Sequence, residues 1–347
     1  MEALNLMNIV VLCGGLSAER DVSISSGTQI ARALRARGHR VVLMDLFFGY
    51  QGAAYSDPAE LFTRDEDFGE FSVSESEPDL DAIRRSRNQP NDSVIGDNVL
   101  SICAAADVTF MALHGDDGEN GKLQAALDIA GIRYTGSGYL GSALAMNKDI
   151  AKSLFREAGI KTPDGLTLHG DTLNSYYVSA PCVVKPGDGG SSVGTSIVTR
   201  SEDLPAAVKA AKAYSDTVLI EEYIVGRELT VGVLGDIAMP VIEIIPKQGF
   251  YDYKNKYQAG LTEEVCPANL TAEETAMVQS AALAAHKALR LRGYSRMDGI
   301  LTADGVLYVL EVNTLPGMTP TSLIPQMGAA MGMSFVELCE RIIEVSR

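Results

Sequence analysis

The sequence predicts an α/β protein in which a parallel-sheet N-terminal domain is followed by two α+β domains. Three observations carry this. An apolar run of strand length, Asn8-Ile-Val-Val-Leu12, leads through a glycine turn into a helical stretch and a second strand, the order that builds a parallel sheet. A glycine-rich segment near residue 190 separates two apolar runs with no room for a helix between them, which predicts a hairpin. The remaining third of the chain mixes strands with one long helix. At 347 residues the chain exceeds one ordinary core, and two or three domains are expected.

Taken in order, the first strand ends at Cys13-Gly-Gly15. A helix is expected over about Ser23 to Arg37, where Ile24, Ile30, Ala31 and Leu34 recur near helical spacing; Gly38 ends it, and Arg40 to Asp45 is the next strand. Residues 46–97 differ in character. Between Asp57 and Asp81 stand ten acidic side chains and a single basic one, Arg64, which predicts an exposed acidic excursion with at most a short helix. Val108 to His114 reads as a buried strand running into Gly115. The first domain is set at residues 1–136. A second, 137–222, carries Cys182 to Lys185 and Thr195 to Val198 on either side of the glycine turn. A third, 223–347, is expected to hold strands near Glu228 to Leu234, Ile237 to Ile245 and Val306 to Val312, and a helix over about Ala272 to Leu291.

Composition excludes several classes. The net charge of −16 opposes sequence-independent nucleic-acid binding, which needs a basic surface. Apolar runs are strand-length, far short of a membrane span. Met1 to Met7 shows no secretory signal, so a cytoplasmic protein is expected. The five cysteines (Cys13, Cys103, Cys182, Cys266, Cys339) are scattered without a CxxC pair, which points to packed thiols; with four histidines and no HExxH, a zinc hydrolase is not expected.

Gly136-Ser-Gly138-Tyr-Leu-Gly141 formally matches GxGxxG and would suit a nicotinamide oxidoreductase. That reading needs an acid ending a second strand about 20 residues on, whereas Glu157 closes a helical pattern, so a glycine turn into a helix is expected. Lys185-Pro-Gly-Asp-Gly-Gly-Ser-Ser-Val-Gly194 has glycines that let backbone N–H groups approach a polyphosphate. Its lysine precedes the glycines and a strand follows, which makes it a phosphate-covering hairpin instead of a P-loop. Acids at Glu221 and Glu228 could accept hydrogen bonds from a nucleoside. Arg296-Met-Asp298 and Glu311-Val-Asn313 flank an Ala303-Asp-Gly305 turn. Strand alternation puts each pair on one face, and hard oxygens converging with an amide suit Mg²⁺ on polyphosphate oxygens.

Together with Gly14-Gly-Leu-Ser-Ala-Glu19-Arg, Ala112-Leu-His114-Gly, Tyr134-Thr-Gly-Ser-Gly138, Met146-Asn-Lys148, Phe250-Tyr-Asp-Tyr253, Lys256-Tyr257 and Glu311-Val-Asn-Thr-Leu-Pro-Gly-Met-Thr319, these motifs resemble the ATP-grasp ligases, specifically the D-alanine–D-alanine ligases. The resemblance spans nearly the whole chain except residues 46–97, a segment longer than in compact members. It implies an ATP-grasp fold whose two α+β domains clamp ATP, and ligation of two D-alanines through a D-alanyl phosphate for peptidoglycan precursors. Lys148, Lys185 and Lys256 would contact ATP phosphates; Glu221 and Glu228 would hold adenine and ribose, with Tyr223 lining the adenine pocket. Asp298, Glu311 and Asn313 would bind two Mg²⁺ ions, with Mn²⁺ as a substitute. Glu19 would take the ammonium of the first D-alanine with help from His114, while Ser322 and Leu323 would meet the carboxylate and methyl group of the second. Arg296 and the Gly317 N–H would face the developing oxyanion. The segment Pro246 to Thr262 would be a lid that closes when Tyr257 reaches Ser191 and, through it, Glu19. A homodimer is expected. The nearest alternatives are D-alanine–D-lactate or D-alanine–D-serine products on the same fold.

Overall fold

The computed structural model describes residues 6–69, 71, 73–74, 78–87, 92–170, 179–190, 193–247 and 262–346. Its first unit is a three-stranded parallel sheet in which β1 (Asn8–Cys13) lies between β2 (Arg40–Asp45) and β3 (Val108–Met111). β1 buries every residue after Asn8, as a central parallel strand covered on both faces must. Helix α1 (Arg20–Ala36) connects β1 to β2 and starts three residues earlier than its apolar spacing predicts. The described part of residues 46–97 is largely exposed, as expected, but it is tied down at a few points. Leu46, Tyr50, Leu61 and Phe62 are buried in the first core, while the described residues of 51–60 and 63–95, α2 (Leu80–Ser86) among them, contain no buried side chain. The acidic count describes the outer face of this segment and conceals its few apolar anchors. α3 (Val99–Ala104) precedes β3; α4 (Asp116–Glu119) and α5 (Lys122–Ile129) follow it.

Gly136, at φ +88°, makes the expected turn into α6 (Tyr139–Met146), and Glu157 ends α7 (Lys148–Glu157). The four-stranded antiparallel sheet of the middle unit is ordered β4 (Gly165–His169), β7 (Thr217–Glu222), β5 (Cys182–Pro186), β6 (Ser196–Val198), with α8 (Leu204–Lys212) packed on it. β5 and β6 pair antiparallel across the glycine-rich segment, the hairpin that the sequence predicts. In the third unit, β8 (Arg227–Leu234) and β12 (Tyr294–Leu301) lie centrally, flanked by β13 (Leu307–Asn313) on one side and β10 (Ile242–Pro246) then β11 (Thr262–Val265) on the other, with β9 (Ile237–Ala238) pairing to β8. The single strand expected from Ile237 to Ile245 is thus two. α9 (Ala272–Ala288) covers this sheet, and α10 (Leu323–Ala330) and α11 (Phe335–Val345) end the chain.

Two packing facts revise the expected boundaries. Residues of α6 and α7 (Ala145, Ala151, Phe155) join the core of the large antiparallel sheet, not the middle unit opened at 137. Leu323, Met327, Leu338 and Ile342 of the last two helices pack into the core of the N-terminal sheet. The middle unit alone keeps a separate small core. Among the described residues, no helix is long and apolar enough to cross a membrane.

Candidate active site

A cavity of about 180 Å³ opens between the middle sheet and the large sheet. Lys148, Lys185, Glu221, Tyr223, Glu228, Asp298 and Glu311 line it, with Gly189 and Gly190 of the hairpin turn above. These residues come from α7, β5, β7, β8, β12 and β13, so the tertiary fold gathers most of what the motifs scattered along the chain suggested. Lys148 begins α7 and reaches across: its Nζ donates to the Gly189 carbonyl at 2.6 Å and stands 3.3 Å from Glu311 Oε2. Tyr223 lies at the rim, part exposed.

The carboxylates sit on paired strands. β12 and β13 run antiparallel with Arg296 opposite Asn313 and Asp298 opposite Glu311, a bulge following Asp298. The four polar residues therefore share one face. Asp298 is held firmly: Arg296 Nε and Nη2 donate to its two oxygens at 2.9 and 2.7 Å, Asn313 Nδ2 at 2.9 Å and Thr230 Oγ1 at 2.7 Å. Each carboxylate oxygen accepts in more than one direction, and Asn313 keeps its amide oxygen. Two carboxylates and an amide oxygen are the hard donors that suit Mg²⁺, so this set fits such an ion.

Glu221 lines the same cavity as Tyr223 and Glu228. Its side chain is 4 % exposed and both oxygens are taken by ammoniums, Oε2 by Lys185 at 2.7 Å and Oε1 by Lys152. Burial by itself would raise this carboxyl, but the two lysines hold it below the usual carboxylate range. Such a group anchors the two lysines at the wall of the cavity.

Glu19, at the N-terminus of α1, lines a neighbouring cavity of about 550 Å³ with Gly115, Gly189 and Gly190. A β-carbon at Gly115 would stand 2.7 Å from Glu19 Oε2, and one at Gly190 3.0 Å, so both loops approach that carboxylate closely; Gly115, at φ +67°, also takes a conformation that favours glycine. Arg296, Asn313, Gly317, Ser322 and Leu323 line neither cavity. Gly317 packs against Ser322, whose Oγ would be 2.8 Å from an added β-carbon. That Oγ also accepts from Thr319 N at 2.9 Å and lies 2.7 Å from Thr319 Oγ1. Leu323 is buried in the N-terminal core. Ser191, Lys256 and Tyr257, and with them the expected lid, lie outside the described residues; the ends of that segment, Pro246 and Thr262, are paired across β10 and β11.

Both ring nitrogens of His114 are held by protein groups. Its Nδ1 is 2.7 Å from the Leu315 carbonyl, which can only accept, so the proton is on Nδ1. Nε2 then accepts from Ser26 Oγ at 2.9 Å, and Ser26 Oγ accepts from Met318 N at 3.2 Å. Burial lowers the imidazole's pKa and keeps it neutral, with Glu19 opposing. The ring thus ties the Leu315–Met318 loop, which carries Gly317, to α1. Glu119 does related work: its Oε2 accepts from Gly115 N at 2.8 Å, and its Oε1 from Thr314 N at 2.9 Å and Leu315 N at 2.8 Å. Burial, then the charge of Glu19, raises its pKa, while those N–H donors pull the other way. Sequence reasoning missed Glu119, Ser26, Thr230 and Lys152. Lys152 alone left a local signal, one helical turn beyond Lys148 on the same face.

Comparison with known proteins identifies the family. The family described as "D-ala D-ala ligase N-terminus" matches residues 8–137, and "D-ala D-ala ligase C-terminus" matches residues 157–344. A D-alanine--D-alanine ligase of Pediococcus pentosaceus is 42 % identical over 97 % of both chains, and one of Nitratidesulfovibrio vulgaris 42 % identical over 98 % of both. Among solved structures, the Bacillus anthracis D-alanine--D-alanine ligase complexed with ATP superposes with TM-score 0.72 at 32 % identity, over 99 % of this chain and 97 % of that one. The VanG D-Ala:D-Ser ligase of Enterococcus faecalis superposes with TM-score 0.73 at 29 % identity, over 99 % of this chain and all of the other. With two family matches that together cover most of the chain, and relatives aligned from end to end, this chain belongs to the D-alanine–D-alanine ligase family.

Proposed function

We propose that this enzyme joins two D-alanine molecules at the expense of ATP, through a D-alanyl phosphate, to make the dipeptide used in peptidoglycan precursors. The observation that carries the reading is the single cavity in which two lysines, two carboxylates on paired strands and a glycine-rich turn face one another. A carboxylate and an amine do not condense at neutral pH because oxide is a poor leaving group. Attack of the first D-alanine carboxylate on the γ-phosphate yields ADP and an acyl phosphate; attack of the second D-alanine amine then expels phosphate.

In this reading Glu19 holds the ammonium of the first D-alanine, and Lys148, Lys185 and Lys256 hold the phosphates. Tyr223 and Glu228 face adenine and ribose. Asp298, Glu311 and Asn313 would hold two Mg²⁺ ions, or Mn²⁺, which when bound would neutralise charge on the transferring phosphoryl group. Arg296, whose Nε and Nη2 donate to Asp298, would face the tetrahedral oxyanion together with the Gly317 N–H; one such donor is typically worth about 10²–10³-fold. Ser322, at the N-terminus of α10, would meet the second carboxylate, where unpaired backbone N–H groups favour an anion. Leu323 would shape the floor from within the core. His114 orients the Gly317 loop instead of touching substrate. An acyl phosphate hydrolyses in water, so closure of Ser191 and Tyr257 over Glu19 would exclude solvent. We also assign a homodimer, to be checked by light scattering, and a cytoplasmic location, where ATP is supplied.

The test is incubation with ATP, Mg²⁺ and D-alanine, with D-serine and D-lactate as competing acceptors. Mass spectrometry should find D-alanyl-D-alanine as the main product, formed one-for-one with phosphate. The likeness to the VanG enzyme favours D-serine as the rival acceptor; a predominant D-alanyl-D-serine product would replace the reading.

A further inference from the structure

Glu221 stands in the wall between two cavities. One is the cavity described above, lined by Lys185 and Glu221; the other, about 330 Å³, is lined by Asp149, Lys152, Arg156, Thr167, His169 and Glu221. The carboxylate bonds a different lysine towards each: Lys185 Nζ at 2.7 Å from Oε2, and Lys152 Nζ on Oε1. The Lys152 side chain is 4 % exposed and lines the rear cavity, not the front one. One buried carboxylate needs one counter-ion, yet here it has two. The surplus ammonium requires a reason, since each buried charge carries a desolvation cost.

We infer that Lys152 is a positioning residue for ATP: it keeps the Glu221 carboxylate compensated, so that Lys185 can swing from Glu221 to an incoming phosphate. The inference rests on the proposed reading of the front cavity as the ATP site. With Lys152 absent, Lys185 would be the only cation recorded on Glu221. Drawing it towards phosphate would strand a buried carboxylate, and ATP would bind correspondingly more weakly. Lys152 would act without touching the nucleotide.

The inference has a pH signature. Burial pulls the Lys152 ammonium down to about 8; Glu221 opposes this, while Lys185 on β5 and Arg156 on the same helix reinforce it. Asp149 of that helix and His169 of β4 also line the rear cavity. When Lys185 leaves for phosphate, Glu221 has Lys152 alone and the Lys152 pKa rises. Binding then takes up a proton above about pH 8, so ATP affinity is fully present below that value and falls as pH rises through it.

The experiment uses the full-length protein and measures ATP affinity by calorimetry alongside KM and kcat for wild type, Lys152→Met and Lys152→Arg. Lys152→Met should weaken ATP about tenfold, with kcat and the KM for D-alanine within about twofold; Lys152→Arg should recover to within about threefold. Between about pH 8 and pH 9.5 the wild type should lose about tenfold in ATP affinity relative to Lys152→Arg, whose guanidinium stays charged. Unchanged ATP affinity in Lys152→Met, or an equal loss in every parameter, overturns the inference. If Lys152→Met does not fold, matching pH profiles for wild type and Lys152→Arg overturn it, and divergent ones support it. A wild type that forms no dipeptide yet shows this ATP pattern overturns the ligase reading while supporting Lys152's role.

Discussion

Glu311 lies opposite Asp298 on the neighbouring strand, with Lys148 Nζ 3.3 Å away. Glu311→Gln keeps the shape and removes the charge that a divalent cation requires. Phosphate release at saturating ATP should fall about a hundredfold or more, because several kcal/mol of charge stabilisation are lost, while the melting temperature holds. Near-normal turnover in a folded variant would remove Glu311 from the metal assignment. Tyr257→Phe tests acceptor choice. Losing the hydroxyl that would join Ser191 and Glu19 costs about 1–3 kcal/mol if its partner is left unsatisfied. Depsipeptide formation with D-lactate should then gain on dipeptide formation, most at the acidic end of a series from about pH 6 to about pH 9, where the D-alanine amine is protonated. A product ratio equal to wild type at every pH would place selectivity elsewhere. Residues with a chemistry visible in their own motif (Lys185, Asp298, Glu311) were legible in sequence. Glu119 was not, and Lys152 showed only its spacing from Lys148, because their meaning lies in partners 195 and 69 residues away.

Among the elements, β12 and β13 show why alternation is informative: a period of two with a short turn suffices to put Arg296, Asp298, Glu311 and Asn313 on one face. Helix starts were less legible. α1 begins at Arg20, earlier than its apolar spacing implies, and its N-cap Glu19 makes no side-chain cap. α9 has the clearer signal, a capping box in which Thr271 Oγ1 accepts from Glu274 N at 3.1 Å and Glu274 Oε2 from Thr271 N at 2.8 Å. Thr271→Ala should destabilise the protein by about 1 kcal/mol, read as a lower urea midpoint with unaltered turnover. An unchanged midpoint would mean the cap is replaced by solvent at no cost.

For the whole molecule, the chain's two ends share one core. Ile342 of α11 is fully buried among residues of the N-terminal sheet. Ile342→Ala should therefore cost about 2–5 kcal/mol and lower hydrogen-exchange protection of β1 amides together with those of α11. Protection lost in α11 alone would show two independently stable units. The sequence by itself determined the parallel strands, the hairpin, the glycine turn and the candidates Lys148, Lys185, Asp298 and Glu311 that meet in one cavity, because each follows from periodicity or from a side chain's own chemistry. Only the tertiary structure decided that α6 and α7 belong to the large sheet, that residues 46–97 anchor in the first core, and that His114 and Glu221 bond to protein groups. Those outcomes depend on which surfaces meet and which buried polar atoms find partners, and such contacts join residues too far apart in the chain for any local pattern to record.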